Sequence, residues 1–462
     1  MKIKPVISFL LFAIFISCNH TTRELTPFLK VSENKRYLAT ENGDPFFWLG
    51  DTGWMLFSKL SRVEAGRYFD DRRKKGFNVI QVMVLQNIMK DVNFYGDSAL
   101  INHRIDLPLT TPGNSPDNPE QYDYWDNVDY LIKLASKKGL YMALVPVWGT
   151  NVRTGHVTIS QAKKYADWLS LRYKDEPNVI WVNGGDVKGS DSTDIWNAIG
   201  STIRKNCPHQ LITYHPFGRT QSSEWFHNQE WLDFNMFQSG HRRYDQDTTG
   251  LRYGEDNWKY MNDDYNKTPA KPSLDGEPSY EAIPQGLHDP SQPYWTDADV
   301  RRYAYWSVFA GGCGFTYGHN AIMQFHKDDK SQPAYGAREF WEEALNAPGA
   351  SEMIWLKNLM LSRPYFERVP AQEIVANEQG EKYEYIAATR GRNFAFVYTY
   401  NGRDFSIKCS ELKWKEYKAL WYNPRNGEQI IAETFKSDGI KTFNPPGEKT
   451  NGNDWVLILD RK

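Results

Sequence analysis

Two carboxylates stand directly after apolar runs of strand length, where catalytic groups are often placed. Asp186 ends the run VIWVNGGD at 179–186, and Glu277 ends KPSLDGE at 271–277. Hydrolysis of a glycosidic bond needs two carboxyl groups, one to protonate the leaving oxygen and one to attack the anomeric carbon or to activate water. We therefore predict Asp186 and Glu277 as a catalytic pair that acts on an uncharged, polyhydroxylated substrate.

Amides, imidazoles, aromatic rings and a third carboxylate follow the other apolar runs. Aromatic faces can stack on the C–H faces of sugars, and polar side chains can bind hydroxyl groups. Asp51 precedes Thr52-Gly53-Trp54 and could make charge-assisted hydrogen bonds to sugar hydroxyls. The predicted substrate-binding residues are Asp51, Trp54, Gln86, Trp148, Asn183, His215, Gln238, His241, Tyr317 and His319.

Each of these residues also has a structural interpretation. Asp186 follows Gly184-Gly185 and fits a turn or a helix cap, and Asp275-Gly276-Glu277-Pro278 fits a turn on composition alone. Any single histidine of the set could be a structural one. The catalytic interpretation depends on the combination of carboxylates at two separate run ends.

The sequence argues against several other classes of chemistry. It has no Gly-rich phosphate loop, no lysine at a strand end that could form a Schiff base, and no metal-ligand spacing. Its 55 Lys+Arg against 57 Asp+Glu give a net charge of −2, which predicts no broad nucleic-acid surface. Cys207, Cys313 and Cys409 form no disulfide framework. We predict no cofactor and no metal.

Eight apolar runs alternate with amphipathic stretches of helix length, which predicts a parallel sheet closed into a (β/α)8 barrel. Ser61, Ser160, Thr296 and Ser351 are predicted helix N-caps. In such a barrel the carboxyl ends of the strands share one face, and strands four and seven end opposite each other. The predicted strands lie at 46–51, 78–86, 141–149, 179–186, 211–218, 234–241, 271–277 and 311–319.

Both ends of the barrel region show β patterns. Residues 29–47 read as a short hairpin that leads into the first barrel strand. After residues 362–370 the helical periodicity stops, and short alternating segments such as NFAFVYTYN and WVLILD predict an all-β sandwich. The predicted domains are a barrel over 25–365 and a sandwich over 366–462.

The N-terminus has the pattern of an export signal. Lys2 and Lys4 precede an apolar run from Val6 to Ile16 that ends at Ser17-Cys18, which is too short to span a bilayer. We interpret residues 1–18 as a lipoprotein signal peptide with Cys18 as the lipidated residue. The protein is then an exported bacterial lipoprotein, periplasmic or at the outer-membrane surface, attached to the membrane only through its lipid. An ordinary signal peptide with a chance cysteine is the alternative.

Several long motifs resemble the glycoside hydrolases of the DUF4038 group, which includes family 140, the bacterial apiosidases. These motifs are FFWLGDTGWMLF, YFDDRRKKGFNVIQVMVL, VIWVNGGD and KPSLDGEPSYE. ALWYNPRNGEQ and DWVLILD are similar to the β-sandwich that accompanies the barrel there, a module often labelled collagen-binding. The resemblance implies that Asp186 is the acid/base, that Glu277 is the nucleophile, and that the substrate is apiose on rhamnogalacturonan II, a plant cell-wall pectin.

Three alternatives stay open on the sequence. The enzyme could have another glycosidase specificity, such as that of an arabinofuranosidase. A surface glycan-binding lipoprotein without catalysis would lack one of the two carboxylates, and both are present. An adhesin or collagenase would take the collagen-binding label literally, but no HExxH motif and no Gly-X-Y repeat support it.

Overall fold

The structure is a computed structural model that describes residues 26–328, 332–376 and 378–462. The predicted signal peptide and Cys18 lie outside the described residues. Within these ranges, no helix has both the length and the apolar character needed to cross a membrane.

A small antiparallel sheet comes first in the chain. Its strands are β1 (Leu29–Val31), β2 (Leu38–Thr40) and β3 (Pro45–Phe46), in the order β1-β2-β3. Phe46 packs against Tyr141, the first residue of a barrel strand, with ring centroids 5.1 Å apart. The predicted hairpin is present as the antiparallel pair β1 and β2, and β3 adds a short third strand.

Eight parallel strands form the barrel, and each overlaps one of the eight predicted runs. Parallel barrel strands are covered on both faces, which explains their nearly continuous apolar sequences, such as YMALV. The strands are β4 (Trp48–Thr52), β5 (Val79–Met83), β6 (Tyr141–Val145), β7 (Val179–Gly184), β8 (Ile212–His215), β9 (Asn235–Phe237), β10 (Ser273–Asp275) and β11 (Gly314–Tyr317). Strand β4 extends one residue past its predicted run, to Thr52.

The strand order β8-β7-β6-β5-β4-β11-β10-β9 leaves β8 and β9 to meet at the seam. There the Thr213 hydroxyl donates to the carbonyl of Phe234 over 2.7 Å. The amide of Asp233 donates to the carbonyl of Ile212 over 2.9 Å. The predicted TIM-type barrel is confirmed.

Thirteen α-helices lie in the described residues, most of them between barrel strands. They are α1 (Leu56–Lys59), α2 (Arg62–Lys74), α3 (Tyr124–Lys137), α4 (Gly149–Arg153), α5 (Ile159–Tyr173), α6 (Thr193–Asn206), α7 (Ser223–Phe226), α8 (Asn257–Tyr265), α9 (Asp297–Phe309), α10 (Asn320–Met323), α11 (Trp341–Ala344), α12 (Pro348–Leu361) and α13 (Cys409–Leu412).

Two of the four predicted helix caps are confirmed and two are wrong. Ser61 and Thr296 cap α2 and α9, each in a capping box with an acidic residue three positions later. Ser160 lies inside α5, because Thr158 forms the box with Gln161. Ser351 lies inside α12, which begins at Pro348, and proline suits a first helical position because no amide hydrogen is needed there.

The C-terminal region is antiparallel β structure, as predicted. A six-stranded sheet has the order β12-β13-β14-β19-β16-β17, and β15 and β18 form a second, two-stranded sheet. The strands are β12 (Val369–Pro370), β13 (Ile386–Arg390), β14 (Phe394–Thr399), β15 (Phe405–Lys408), β16 (Tyr417–Tyr422), β17 (Gln429–Phe435), β18 (Ile440–Phe443) and β19 (Trp455–Arg461).

Side chains alternate between the two faces of the larger sheet. On β14, Phe394, Phe396 and Tyr398 pack into the core shared with the barrel helices α9 and α12. Ala395 and Val397 face the sandwich core instead. Because side chains alternate with a period of two, one face of this sheet packs on the barrel and the other packs on the two-stranded sheet of β15 and β18.

Candidate active site

Two consecutive glycines direct the chain after β7 so that Asp186 lines a cavity. Gly184 and Gly185 have φ values of +89° and +110°, a conformation that favours glycine. A Cβ at Gly185 would lie 2.6 Å from Cε3 of Trp148, and one at Gly184 would lie 2.6 Å from the carbonyl oxygen of His215. Glycine is thus required at both positions, by backbone conformation and by close packing.

Glu277 follows the end of β10 and is only 8% exposed. Its carboxylate lies between two imidazoles: Oε2 is 2.9 Å from Nε2 of His215, and Oε1 is 3.1 Å from Nε2 of His241. His215 is the last residue of β8 and His241 follows β9, so three neighbouring strands contribute this cluster.

Backbone amides determine which nitrogen of each imidazole carries the proton. Nδ1 of His215 accepts from the amide of Asp186 over 3.4 Å, and Nδ1 of His241 accepts from the amide of Tyr280 over 3.4 Å. An Nδ1 that accepts leaves the hydrogen of a neutral imidazole on Nε2. Each ring therefore carries its hydrogen on Nε2, the nitrogen nearest Glu277, and Nε2 of His241 donates to Oε1 of that carboxylate.

The pKa values of Asp186 and Glu277 are shifted in opposite directions. Burial alone would raise the pKa of Glu277, but the interactions with His215 and His241 outweigh it and lower that pKa to about 2. Burial, with the charge of Glu277 as the next cause, raises the pKa of Asp186 to about 7. Near neutral pH Glu277 is ionised, whereas Asp186 can hold a proton.

Asp186 and Glu277 line the same cavity of about 210 Å³. Trp54, Trp148, Gln238 and His241, all predicted to bind substrate, line it with them. His215 is fully buried and lies behind the cavity against Glu277, with its ring 5.3 Å from Trp54 and 5.8 Å from Trp148, centroid to centroid.

The structure places Asp51 outside the cavity, contrary to our prediction. Its Oδ2 accepts from Nε of Arg72 at 2.6 Å and from the Tyr68 hydroxyl at 2.5 Å, and its side chain is fully buried. Both partners belong to α2, so Asp51 faces the helix layer. This carboxylate joins a strand to a helix, and it does not line the cavity beside Trp54.

Asn183 and Gln86 also lie away from the cavity. The amide nitrogen of Asn183 donates to the carbonyl of Trp196 on α6 over 2.8 Å, so this side chain faces the helix layer. Gln86 is exposed in the loop after β5. There its backbone amide donates to the carboxylate of Asp91, and its backbone carbonyl accepts from the side-chain amide of Asn151.

The side chains of Tyr317 and His319 are buried and have partners other than the cavity. The Tyr317 hydroxyl donates to Oε2 of Glu281 over 2.6 Å. Nδ1 of His319 caps α10 by accepting from the amide of Ala321 over 3.1 Å, and its Nε2 lies 3.1 Å from Glu339. These interactions hold the β11 end in place without lining the cavity.

Loops contribute cavity residues that the sequence analysis did not identify. Tyr280 lies three positions after Glu277 within the motif DGEPSY, and its hydroxyl accepts from Nε1 of Trp54 over 3.2 Å. The nearness of Tyr280 to Glu277 in sequence could have indicated it. The other missed lining residues are Phe217, Gly218, Arg219, Gly240, Arg242, Ile283, Gly286, Leu287, His288, Met323 and Tyr335.

Fold and site together define a class of protein. A parallel barrel holds an ionised carboxylate and a carboxyl group of raised pKa in one cavity at the carboxyl ends of its strands. An ionised carboxylate and a protonated carboxyl group are the two catalytic groups that a glycoside hydrolase needs.

Comparison with known families assigns the chain within that class. Residues 32–367 match the family model "Apiosidase-like, catalytic domain". Residues 369–460 match "Putative collagen-binding domain of a collagenase". The protein belongs to the apiosidase-like glycoside hydrolases.

Solved structures agree with this assignment. A structure described as a glycoside hydrolase is 45% identical with a TM-score of 0.88, and the match covers 95% of this chain and 97% of the other. A glycoside hydrolase family 5 structure from Bacteroides vulgatus is 43% identical with a TM-score of 0.88, and the match covers 94% and 93% of the two chains. No curated protein matches the chain.

Proposed function

We propose that the protein is an exo-acting, retaining glycosidase that removes a terminal apiose from pectic side chains such as those of rhamnogalacturonan II. The observation that carries this proposal is that the pKa values of two carboxyl groups in one cavity are shifted in opposite directions. The pKa of Glu277 is lowered to about 2, and that of Asp186 is raised to about 7. Environments that separate two carboxyl pKa values in this way assign the roles of nucleophile and acid.

The size of the cavity supports exo action on a single sugar residue. Its volume of about 210 Å³ is below the ~300–1,000 Å³ usual for pockets that hold drug-sized ligands. Trp54 and Trp148 lie in its wall with ring centroids 5.3 Å apart and offer apolar faces to a sugar ring.

In the first proposed step the carboxylate of Glu277 attacks the anomeric carbon, and Asp186 gives its proton to the leaving oxygen. The Nε2–H groups of His215 and His241 hold the attacking carboxylate in position. A covalent glycosyl-enzyme results, and the shortened glycan leaves with the proton from Asp186.

In the second step a water molecule takes the place of the leaving group. Once Glu277 is bound in an ester, its charge no longer raises the pKa of Asp186, so Asp186 becomes a better base. Asp186 then removes a proton from the water, which attacks the anomeric carbon and regenerates the carboxylate of Glu277.

The predicted export signal supports a location outside the cytoplasm, where plant cell-wall oligosaccharides are met. We propose that the mature protein begins at a lipidated Cys18 and attaches to the membrane only through that lipid.

The test is the purified enzyme on oligosaccharides derived from rhamnogalacturonan II, with each released monosaccharide identified. Release of apiose by the wild type, and its loss in Glu277→Gln, is the expected result. Release of arabinose instead would indicate an arabinofuranosidase. Binding of the glycan without release of any sugar would indicate a glycan-binding lipoprotein, and either result would overturn the proposal.

A further inference from the structure

The loop between β9 and α8 lies between the active-site cavity and the C-terminal sandwich. Gln238, Gly240, His241 and Arg242, at the start of this loop, line the cavity. His241 lies nearest the proposed chemistry, since its Nε2 donates to Oε1 of Glu277 over 3.1 Å. The interactions that hold this loop therefore also determine where His241 lies.

Contacts within the barrel hold the loop at His241 itself. The amide of Gly286 donates to the carbonyl of His241 over 2.8 Å. Nε1 of Trp295 donates to the same carbonyl over 3.1 Å. Both donors come from the segment between β10 and α9. They fix the start of the loop, and the remainder is held from the sandwich.

A buried carboxylate at the far end of the loop joins it to the sandwich. The side chain of Glu255 is only 1% exposed, and Nη2 of Arg302 on α9 donates to its Oε2 over 2.7 Å. The hydroxyl of Tyr383, in the sandwich, donates to this carboxylate and lies 3.0 Å from each of its oxygens. The amide of Tyr244 approaches Oε1 of Glu255 at 3.4 Å. Glu255 thus connects both parts of the loop to Tyr383 by hydrogen bonds to a charged group, which are the stronger kind.

Tyr383 also packs on the loop through its ring. Tyr244 follows His241 by three residues, and its ring centroid lies 5.9 Å from that of Tyr383. Nζ of Lys382 lies 5.2 Å from the centroid of the Tyr244 ring. A Cβ at Gly254 would lie 2.4 Å from Cδ1 of Tyr244, so the end of the loop packs tightly on the same ring. The Tyr244 ring is therefore in contact with both its own loop and the sandwich.

The sandwich segment that carries Tyr383 is itself fixed against the barrel. Tyr385 stacks on Trp258 of α8, with ring centroids 4.2 Å apart and an interplanar angle of 6°. Lys382 has a φ of +52°, in the left-handed region that residues other than glycine rarely adopt. Backbone conformations of this kind cost free energy and are enriched at functional positions. The segment thus presents Tyr383 to the loop in a strained but well-anchored turn.

We propose that Tyr383 is a positioning residue for catalysis, through which the sandwich holds His241 against Glu277. The connection runs through Glu255 and Tyr244. The inference goes beyond the proposed function because it gives the C-terminal domain a role in the active site, and it rests on that function only for the role of Glu277. The sandwich is then part of the catalytic architecture and not a separable binding module.

The first experiment compares Tyr383→Phe with Tyr417→Phe in the full chain. Each variant loses one tyrosine hydroxyl of the sandwich, but that of Tyr417 donates to the carbonyl of Cys409 over 2.9 Å within the sandwich core. The substrate is the 4-nitrophenyl glycoside of the sugar that the wild type releases. Tyr383→Phe should lower kcat about 10-fold, since a small misplacement of a catalytic group has a large effect on rate.

The pH profile of kcat/KM distinguishes positioning from a general loss of stability. In Tyr383→Phe the acidic limb should move to higher pH, because a displaced His241 stabilises the ionised form of Glu277 less well. Tyr417→Phe should leave kcat and both limbs unchanged. If kcat and the acidic limb stay in place in Tyr383→Phe, the proposal is wrong.

Hydrogen exchange separates this inference from the proposed function, because it needs no substrate. Mass spectrometry measures backbone exchange in peptides that cover residues 238–256, in the wild type and in both variants. Tyr383→Phe should speed this exchange about 10-fold, as loss of a hydrogen bond to a charged group allows, whereas Tyr417→Phe should not. That result supports the connection even if the enzyme releases no apiose. Equal exchange in all three proteins would overturn it, whichever sugar is released.

Discussion

Nε2 of His215 lies 2.9 Å from Oε2 of Glu277, and the Nδ1 of the same ring accepts from the backbone amide of Asp186. One imidazole therefore contacts both ends of the proposed catalytic pair. Together with His241 it lowers the pKa of Glu277, and its Nδ1 accepts from the backbone that carries Asp186. The same side chain thus contributes to the position of the acid and to the ionised state of the nucleophile.

Replacing Glu277 by glutamine should abolish turnover while leaving the fold intact. The amide keeps the shape of the side chain but removes the nucleophile, so we expect kcat to fall by at least about 10³-fold. Steady-state kinetics and a thermal melt measure the two quantities. Adding azide to Glu277→Ala should restore glycosyl transfer with inverted stereochemistry, and near-normal activity of Glu277→Gln would contradict the assignment.

The pH profile of kcat/KM should be bell-shaped, with limbs from the two carboxyl groups. Glu277 must be ionised, so activity rises as the pH climbs through its pKa of about 2. Asp186 must be protonated, so activity falls as the pH rises through its pKa of about 7. A basic limb that persists in Asp186→Asn would show that another group is the acid.

Asp186→Asn should lose less activity on substrates with a good leaving group. An aryl glycoside of low leaving-group pKa needs little protonation, whereas a sugar hydroxyl needs full proton transfer. The ratio of wild-type to variant kcat/KM should therefore be smaller for the aryl glycoside than for the natural glycan. Equal losses on both substrates would argue that Asp186 positions substrate and does not transfer a proton.

His241→Asn should move the acidic limb of the profile to higher pH. Nε2 of His241 lies 3.1 Å from Glu277, and a hydrogen bond to a charged group is worth ~1.5–3 kcal/mol. Its loss should raise the pKa of Glu277 by about 1–2 units. The basic limb serves as the internal control, and an unmoved acidic limb would rule out this role of His241.

Asp51→Ala should destabilise the fold. Asp51 and Arg72 are both fully buried and 2.6 Å apart, and removal of one partner of such a pair costs roughly 3–5 kcal/mol. In the variant Arg72 still has an ion pair with Asp71 at 2.7 Å, so we expect a loss at the lower end of this range. Asp70→Ala is the control, since Asp70 has a 67% exposed side chain paired with Lys138 and should cost less than about 1 kcal/mol. Urea unfolding measures both values, and similar small losses would refute the structural role of Asp51.

The positions of the barrel strands could be predicted from the sequence alone, because buried parallel strands are continuous apolar runs, and their carboxyl ends share one barrel face. Their exact ends could not: β6 ends at Val145 and β9 at Phe237, whereas the predicted runs extend to 149 and 241. Asp186 and Glu277 follow such runs and do line one cavity. Trp54, Trp148, Gln238 and His241 were identified by the same reasoning. The C-terminal sandwich could also be predicted from local sequence, because apolar and polar residues alternate along strands that have one buried face.

The tertiary structure decided which strand-end residues face the cavity and which face the helices. Asp51 and Asn183 stand at strand ends like Glu277, but the alternation of side chains in a closed barrel directs them to Arg72 on α2 and to Trp196 on α6. Arg219, Arg242 and Tyr335 reach the cavity from loops whose paths depend on packing between distant segments. The pKa separation of Asp186 and Glu277 likewise exists only in the folded chain, because burial and two imidazoles from neighbouring strand ends produce it.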